Sequence, residues 1–376
     1  MAEAPQPDAD AVRLPASEKY RRLATDPETL YRSARKCWKG VGRKFSSQAY
    51  ILHIIDRTVD LADDLANGRY REGPVRTVHI TYPKKRTARS ITFRDRTYQR
   101  GLNDIVLYPR MTRSFIWANF ACQRGKGTEA ALLHMKRMLH NAWLKWRSNR
   151  FQILSGDIKG YYDNMRHDLT EEMFGSRTDP WTKREVVRTL RHQYLGEKGY
   201  NPGSQMVQIA GISYLDPFDH HVKERMRRKF YIRYMDDWHI LGAPDEDMGA
   251  VRVEVSGELA PAGMWLHPDK TRIRLAKDGV VFLGFLFRVT ETGKVLMFRD
   301  PKRVKEIKRR LRRLAKLCRE GRASWDDFDT SFECVMACIR KGNSGRLVRN
   351  MIQFSSILKQ KGDHPDGTRH QRTEAA

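Results

Sequence analysis

The sequence predicts an α+β fold organised in two or three subdomains. Three observations predict it. β-rich segments surround residues 151–156 and 230–241, apolar residues recur at helical spacing in several long stretches, and 376 residues with 40% hydrophobic content can bury more than one core.

The elements follow in chain order. The opening Met1-Ala-Glu-Ala-Pro-Gln-Pro-Asp-Ala-Asp lacks the basic start and apolar middle of a signal peptide, and residues 1–16 read as a disordered tail. Ser46-Ser-Gln followed by Ala49 to Leu65, with Gly68 beyond, reads as one capped helix. Val75 to Phe93 alternates as a hairpin, with Lys84, Lys85 and Arg86 near its turn. Gln123-Arg-Gly-Lys-Gly-Thr128 precedes a helix from Glu129 to about Trp146; it lacks the Gly-x-x-x-x-Gly-Lys-Ser/Thr spacing of a phosphate loop, which leaves a ligand-contacting turn or a plain helix start. Strands are expected at Gln152–Ser155 and Tyr231–Leu241, with Val280–Arg288 continuing their sheet and Gly293–Phe298 adding another strand. From Lys302 to Arg322, basic residues interleave with Val304, Ile307, Leu311, Leu314 and Leu317, the pattern of an amphipathic helix with a basic face. Residues 361–376 read as a second tail.

Composition narrows the class. A formal net charge of +26 and a pI near 10.0 would concentrate phosphate polyanions, although a basic chain alone does not name its partner. No run of eighteen apolar residues occurs, so no membrane span or membrane partner is expected. Five scattered cysteines, Cys37, Cys122, Cys318, Cys334 and Cys338, suit a reducing cytoplasm without structural disulfides. Cys334 and Cys338 stand four apart without a second ligand pair nearby, so core packing is preferred over zinc.

The chemistry concentrates in three aspartates. Asp236 and Asp237 break the run Phe230-Tyr-Ile-Arg-Tyr-Met-Asp-Asp-Trp-His-Ile-Leu241 and fall at the tip of the expected hairpin. Asp157 ends the apolar strand Phe151-Gln-Ile-Leu-Ser-Gly. Carboxylates set among Tyr and Trp cost several kcal/mol if buried unpaired, and a divalent cation compensates them. An Asx turn is the plain alternative for the Asp-Asp pair.

These segments resemble motifs of the reverse transcriptases. Tyr234-Met-Asp-Asp resembles motif C, and Asp157-Ile-Lys-Gly-Tyr-Tyr-Asp-Asn-Met with His167 resembles motif A of the bacterial branch. Pro83-Lys-Lys-Arg86 with Phe93-Arg-Asp-Arg-Thr-Tyr-Gln99 is similar to the fingers segment, Gly203-Ser-Gln-Met-Val-Gln208 to motif B, His267-Pro-Asp-Lys270-Thr to motif D, and Phe282-Leu-Gly284 to motif E. The resemblance covers roughly residues 30 to 355 and six motifs in the family's order. Within the family, the diversity-generating, group II intron and unknown-group or abortive-infection types look most similar. Gln208 leans to the first, while Pro202 and Val207 depart from either motif B pattern.

The resemblance implies a right-hand polymerase: fingers over residues 17–150, a palm with an antiparallel sheet over 151–298 that carries an insertion near 171–200, and a helical basic thumb over 299–360. It implies an RNA-directed DNA polymerase of a bacterial retroelement or phage-defence system, joining dNTPs to a primer 3′-hydroxyl with two Mg²⁺ ions, or Mn²⁺ instead. An RNA template and a DNA or RNA primer are the implied partners, with a non-coding RNA or a small accessory protein as further ones. Asp157, Ile158, Asp236 and Asp237 are the implied metal-binding positions, Asp237 as the weaker ligand or as a hairpin support. Lys270 donates a proton to pyrophosphate, or is a plain surface lysine. Lys84, Arg86, Tyr162, Gly203 and Gln208 would contact the nucleotide, the cations at its phosphates and Tyr162 as a gate against the 2′-hydroxyl, or alternatively as a core tyrosine. Phe282, Leu283 and Gly284 would form the primer grip. Asp163 and His167 are expected to organise the helix behind motif A. Two other readings remain open from sequence: untemplated or protein-primed DNA synthesis in defence, and a catalytically silent RNA-binding scaffold.

Overall fold

Helices dominate the first hundred residues because apolar positions recur there every three or four residues, and two of these helices start on a side-chain cap. The computed structural model describes residues 15–81, 86–201 and 203–360, with Arg86 described by its backbone alone. Pro83, Lys84, Lys85, Pro202 and residues 1–14 and 361–376 of the expected tails lie outside the described residues. Among the described residues the chain divides into two units, the first made of residues 15–81, 86–131, 155–201, 203–240 and 247–272, the second of 132–154, 241–246 and 273–360.

The first unit opens with helices α1 (Ala16–Thr25), α2 (Pro27–Trp38), α3 (Phe45–Leu52) and α4 (Ile54–Ala66). Asp26 caps α2 by accepting from the Thr29 amide at 2.7 Å, and Pro27 fills the first helical position, where its missing N–H costs nothing. The single helix expected over residues 49–65 is instead two, broken at His53 (φ −118°, ψ 39°). The break lets each helix face its own cluster: Tyr50 packs with Ala34 and Phe93, whereas Leu61 and Ala62 pack with Leu30, Tyr70 and Tyr98. Strands β1 (Arg76–Ile80) and β2 (Arg86–Ser90) form the expected antiparallel hairpin, with Val78 opposite Ala88. It stops short of Phe93, because the Thr92 side chain accepts from the Asp95 amide and starts helix α5 (Phe93–Leu102). A π-turn at Asn103–Leu107 leads into α6 (Tyr108–Met111), and α7 (Thr128–Trp146) carries the chain into the second unit.

Strand β3 (Gln152–Gly156) is followed by α8 (Tyr161–Asn164), α9 (His167–Arg177), α10 (Pro180–Gln193), α11 (Gln205–Tyr214) and α12 (Asp216–His220). Strands β4 (Tyr231–Tyr234) and β5 (Asp237–Gly242) then form the expected hairpin, and α13 (Met248–Leu259) precedes β6 (Arg272–Leu275). These strands lie in one sheet in the order β4-β5-β3-β6, which departs from expectation in taking β6 as a member. At its centre Gly156 meets Trp238 so closely that a Cβ on Gly156 would fall 1.9 Å from the indole ring, leaving room for glycine alone.

The second unit holds β7 (Val280–Phe282), β8 (Phe285–Val289) and β9 (Val295–Arg299), then α14 (Pro301–Arg319), α15 (Trp325–Ile339) and α16 (Gly345–Gln360). The three strands pair antiparallel as a sheet of their own, so Val280–Arg288 does not extend the sheet of β3. Helix α14 has the expected amphipathic form: Ile307, Leu311, Leu314, Ala315 and Cys318 pack against Phe328, Phe332, Met336 and Ile339 of α15 and Met351 and Leu358 of α16. Those α15 residues fix which face is buried, and Cys334 and Cys338 consequently lie exposed rather than in the core. No helix among the described residues is long and apolar enough to cross a membrane.

Candidate active site

All three predicted aspartates stand at ends of strands in the first unit. The β4–β5 register pairs Tyr234 with Asp237, so Met235 and Asp236 form a two-residue turn at the hairpin tip. Met235 has φ 59°, a left-handed conformation that costs a non-glycine residue of order 1–3 kcal/mol and persists only where its surroundings hold it. Asp157 follows β3 directly; its backbone carbonyl accepts from the His267 amide at 2.7 Å, and Ile158 bridges Leu266. That bridge brings the motif D segment alongside, and Lys270 Nζ donates to Asp157 Oδ2 at 2.8 Å.

The electrostatics follow from this crowding. Burial, followed by the charges of Asp236 and Asp157, pushes the Asp237 carboxyl up to about 8. Asp236 is raised for the same chief reason, burial, with Asp157 adding to it and Lys270 and Arg233 opposing. The carboxylates therefore feel one another and resist joint ionisation. Behind them His239 is fully buried and held neutral, its basicity lowered to about 3 by burial; Nδ1 meets Ser155 Oγ at 2.9 Å and Nε2 lies 3.5 Å from Asp237 Oδ1.

Hard oxygen donors of this kind suit Mg²⁺, which keeps waters and substrate oxygens in its remaining positions. Among the described residues no three His, Cys, Asp or Glu side chains are already gathered as a chelating set. The donor chemistry fits a magnesium ion, with Lys270 on one oxygen of Asp157 as the group such an ion would have to displace or share.

Around the carboxylates the other expected residues take definite places. Tyr162 reaches α11 with the hydroxyl end of its ring, where a Cβ on Gly211 would come within 2.8 Å of the hydroxyl; that hydroxyl is buried without a hydrogen-bond partner. Its acidity is suppressed by burial first, then by Cys122 and Asp236. Tyr161 donates to the Gly211 carbonyl. Ser204 caps α11 by accepting from the Val207 amide at 3.1 Å. Gly203 borders a cavity of about 220 Å³ lined by Arg89, Arg96 and Arg100, and Gln208 borders one of about 240 Å³ lined by Arg100, Tyr108 and Arg124. Lys126 of the Gly-Lys-Gly turn donates to the Trp117 and Asn119 carbonyls at 2.9 and 2.8 Å, which favours a plain helix start. His167 meets the Gly196 and Gly199 carbonyls, both at 2.9 Å, and so fastens the loop after α10 to α9. Arg86 contributes its backbone to β2, and Lys84 lies outside the described residues.

In the second unit, Leu283 (φ 49°) and Gly284 (φ 78°) form the tight turn between β7 and β8, with Phe282 fully buried before it. Both turn positions need positive φ, which Gly adopts freely and Leu does not.

The family described as reverse transcriptase (RNA-dependent DNA polymerase) matches residues 82–287, more than half of the chain and every strand from β2 through most of β8. The chain belongs to the reverse transcriptase family. As such it is an RNA-directed DNA polymerase, a nucleotidyltransferase, and its family's substrates are an RNA template, a primer and dNTPs. Reverse transcriptases in general use divalent metal ions. No curated protein matches the chain.

Two residues of this reverse transcriptase site escape a reading of sequence motifs. Arg233 and Asp219 are both fully buried and joined by two hydrogen bonds of 2.7 and 2.6 Å. A lone arginine inside the apolar run Tyr231-Ile-Arg-Tyr234 is the signal that could have revealed the pair, because a charge in such a strand requires a partner.

Proposed function

We propose that this reverse transcriptase extends a primer by two-metal nucleotidyl transfer, with Asp157, Asp236 and Asp237 holding the ions. The observation that carries the reading is the convergence of β3 and the β4–β5 turn on Lys270: three carboxylates in mutual electrostatic reach, with one ammonium already among them. When bound, the ions would lower the barrier to in-line attack by the primer 3′-hydroxyl and stabilise the leaving pyrophosphate. Asp157 and Asp236 would be the principal ligands, with the Ile158 main chain beside them. Asp237, paired within the ladder and backed by His239, would ligate weakly while steadying the turn. Lys270 would serve as proton donor to the departing pyrophosphate.

Tyr162 would act as the sugar gate, a reading supported by Gly211, which leaves room for the ring where a side chain would collide with it. Gly203 and Gln208 would contact the nucleotide from the arginine-lined cavities, and Arg86 and Lys84 would meet the triphosphate. Phe282, Leu283 and Gly284 would grip the primer, and the basic face of α14 would meet duplex phosphates. The biological setting would be a bacterial retroelement or a phage-defence system, the types its motifs most resemble, with Gln208 leaning to the diversity-generating type and Pro202 and Val207 departing from it. Asp236→Asn should abolish incorporation of dNTPs while leaving primer-template affinity largely intact, since the carboxylate would hold the metal ions and not the duplex. Full activity in that variant would remove Asp236 from the metal site.

A further inference from the structure

We propose that Arg233 is a positioning residue for the catalytic turn, acting through the carbonyl of Met235; the inference rests on the two-metal reading above. Arg233 is fully buried on β4 and every face of its guanidinium is used. Nε donates to Asp219 Oδ1 at 2.7 Å, and Nη2 donates to Asp219 Oδ2 at 2.6 Å and to the Ile212 carbonyl at 2.9 Å. Nη1 donates to the Met235 carbonyl at 2.9 Å. The anchor is itself fixed, since Asp219 accepts from the Tyr231 hydroxyl at 2.6 Å and lies 3.5 Å from Asn119 Nδ2. The Arg233 backbone is held as well, its amide on the Ala118 carbonyl and its carbonyl on the Phe120 amide, both at 3.0 Å.

Met235 is the residue with φ 59°, and its carbonyl belongs to the peptide that leads into Asp236. Relaxing Met235 to an ordinary conformation would rotate that peptide and swing Asp236 away from Asp157. The guanidinium opposes this rotation directly. A buried ion pair is weak evidence for stability, because apolar or neutral replacements often fold equally well. A methionine at position 233 offers no donor to the Met235 carbonyl. Stability and metal-site geometry therefore separate, and the two can be measured apart.

The test compares the parent, Arg233→Lys, and the neutral double variant Arg233→Met with Asp219→Asn, which removes both charges and leaves an acceptor for Tyr231. Mn²⁺ binding is titrated by electron paramagnetic resonance without substrate, Mg²⁺ dependence is followed in primer extension, and folding is followed by thermal melting. Outer supports of metal ligands are worth about 10- to 100-fold in metal affinity, and a loss of that size is expected in the folded double variant with primer-template affinity unchanged. Arg233→Lys, whose single ammonium cannot serve Asp219 and Met235 together, should lose less but in the same direction. A folded variant of either kind with the parent's Mn²⁺ affinity overturns the proposal, and should the double variant fail to fold, Arg233→Lys decides alone. Absence of metal-dependent synthesis in the parent would instead count against the two-metal reading.

Discussion

Lys270 Nζ lies 2.8 Å from Asp157 Oδ2, so a cation of the chain already occupies the edge of the carboxylate cluster. The contact is largely open to solvent, with the Lys270 side chain 57% exposed, and its loss should leave the fold intact. A general acid contributes typically about 100-fold or more, so Lys270→Met should lower the maximal rate of primer extension by about that factor while the melting temperature and primer-template affinity stay put. Single-turnover kinetics check this, and an unchanged rate would return Lys270 to the role of a plain surface lysine.

Asp237 makes stability depend on pH. Its carboxyl is pushed up to about 8 from an ordinary 3.8, so between those values the folded chain holds a proton that the unfolded chain has released. Without divalent metal, stability should therefore fall as pH rises through that interval. Asp237→Asn cannot ionise and should show a flatter profile in that range. Melting curves across pH for both proteins decide it; parallel profiles would mean that the Asp237 environment is no more costly to its charge than water.

Tyr162 offers a separable test of sugar selection. Because its hydroxyl makes no hydrogen bond, Tyr162→Phe should keep both stability and the preference for dNTPs. Tyr162→Ala should admit ribonucleotides, reducing discrimination by at least about tenfold in competitive incorporation, the order expected when a shape-selective contact is removed. Equal discrimination in all three proteins would make Tyr162 a core residue only.

Two glycines should respond oppositely. A Cβ on Gly156 would collide with Trp238 at 1.9 Å, whereas a Cβ on Gly203 meets nothing within 4 Å. Gly156→Ala should cost about 3 kcal/mol in denaturant unfolding, the upper range for overpacking. Gly203→Ala should leave stability unchanged and, if backbone approaches the nucleotide there, raise the apparent KM for dNTPs.

The basic face of α14 makes affinity for nucleic acid depend on salt. Arg309, Arg310 and Arg313 are exposed and form no ion pair among the described residues. Replacing all three by Ala should reduce the slope of log affinity against log salt by about 2–3 if each meets one phosphate. Fluorescence anisotropy over a salt series measures this, and an unaltered slope would place the duplex elsewhere.

The hairpin and the strand before Asp157 were legible because period-two alternation and a turn leave a local signature in sequence. Helix α14 was legible for the same reason at a different period. The break at His53 was not, since it depends on which of two distant clusters each half-helix faces. Strand β6 was hidden because Arg272-Ile-Arg-Leu275 alternates over four residues only, too short a run for period two to stand out; its strand state comes from neighbours far away in sequence. Cys334 and Cys338 misled because helical spacing alone does not say which face is covered. In the site, the aspartates and Lys270 were recognisable as motifs, whereas the Arg233–Asp219 brace required knowing that α12 passes behind β4.

The most direct test of RNA-directed DNA synthesis at these aspartates is incorporation of labelled dTTP by the purified protein on poly(rA)/oligo(dT) with Mg²⁺, beside lanes lacking template and lanes with Asp236→Asn. The expected product needs the RNA template and disappears in the variant. Product of equal yield without template, or undiminished in Asp236→Asn, would contradict RNA-directed synthesis at these aspartates.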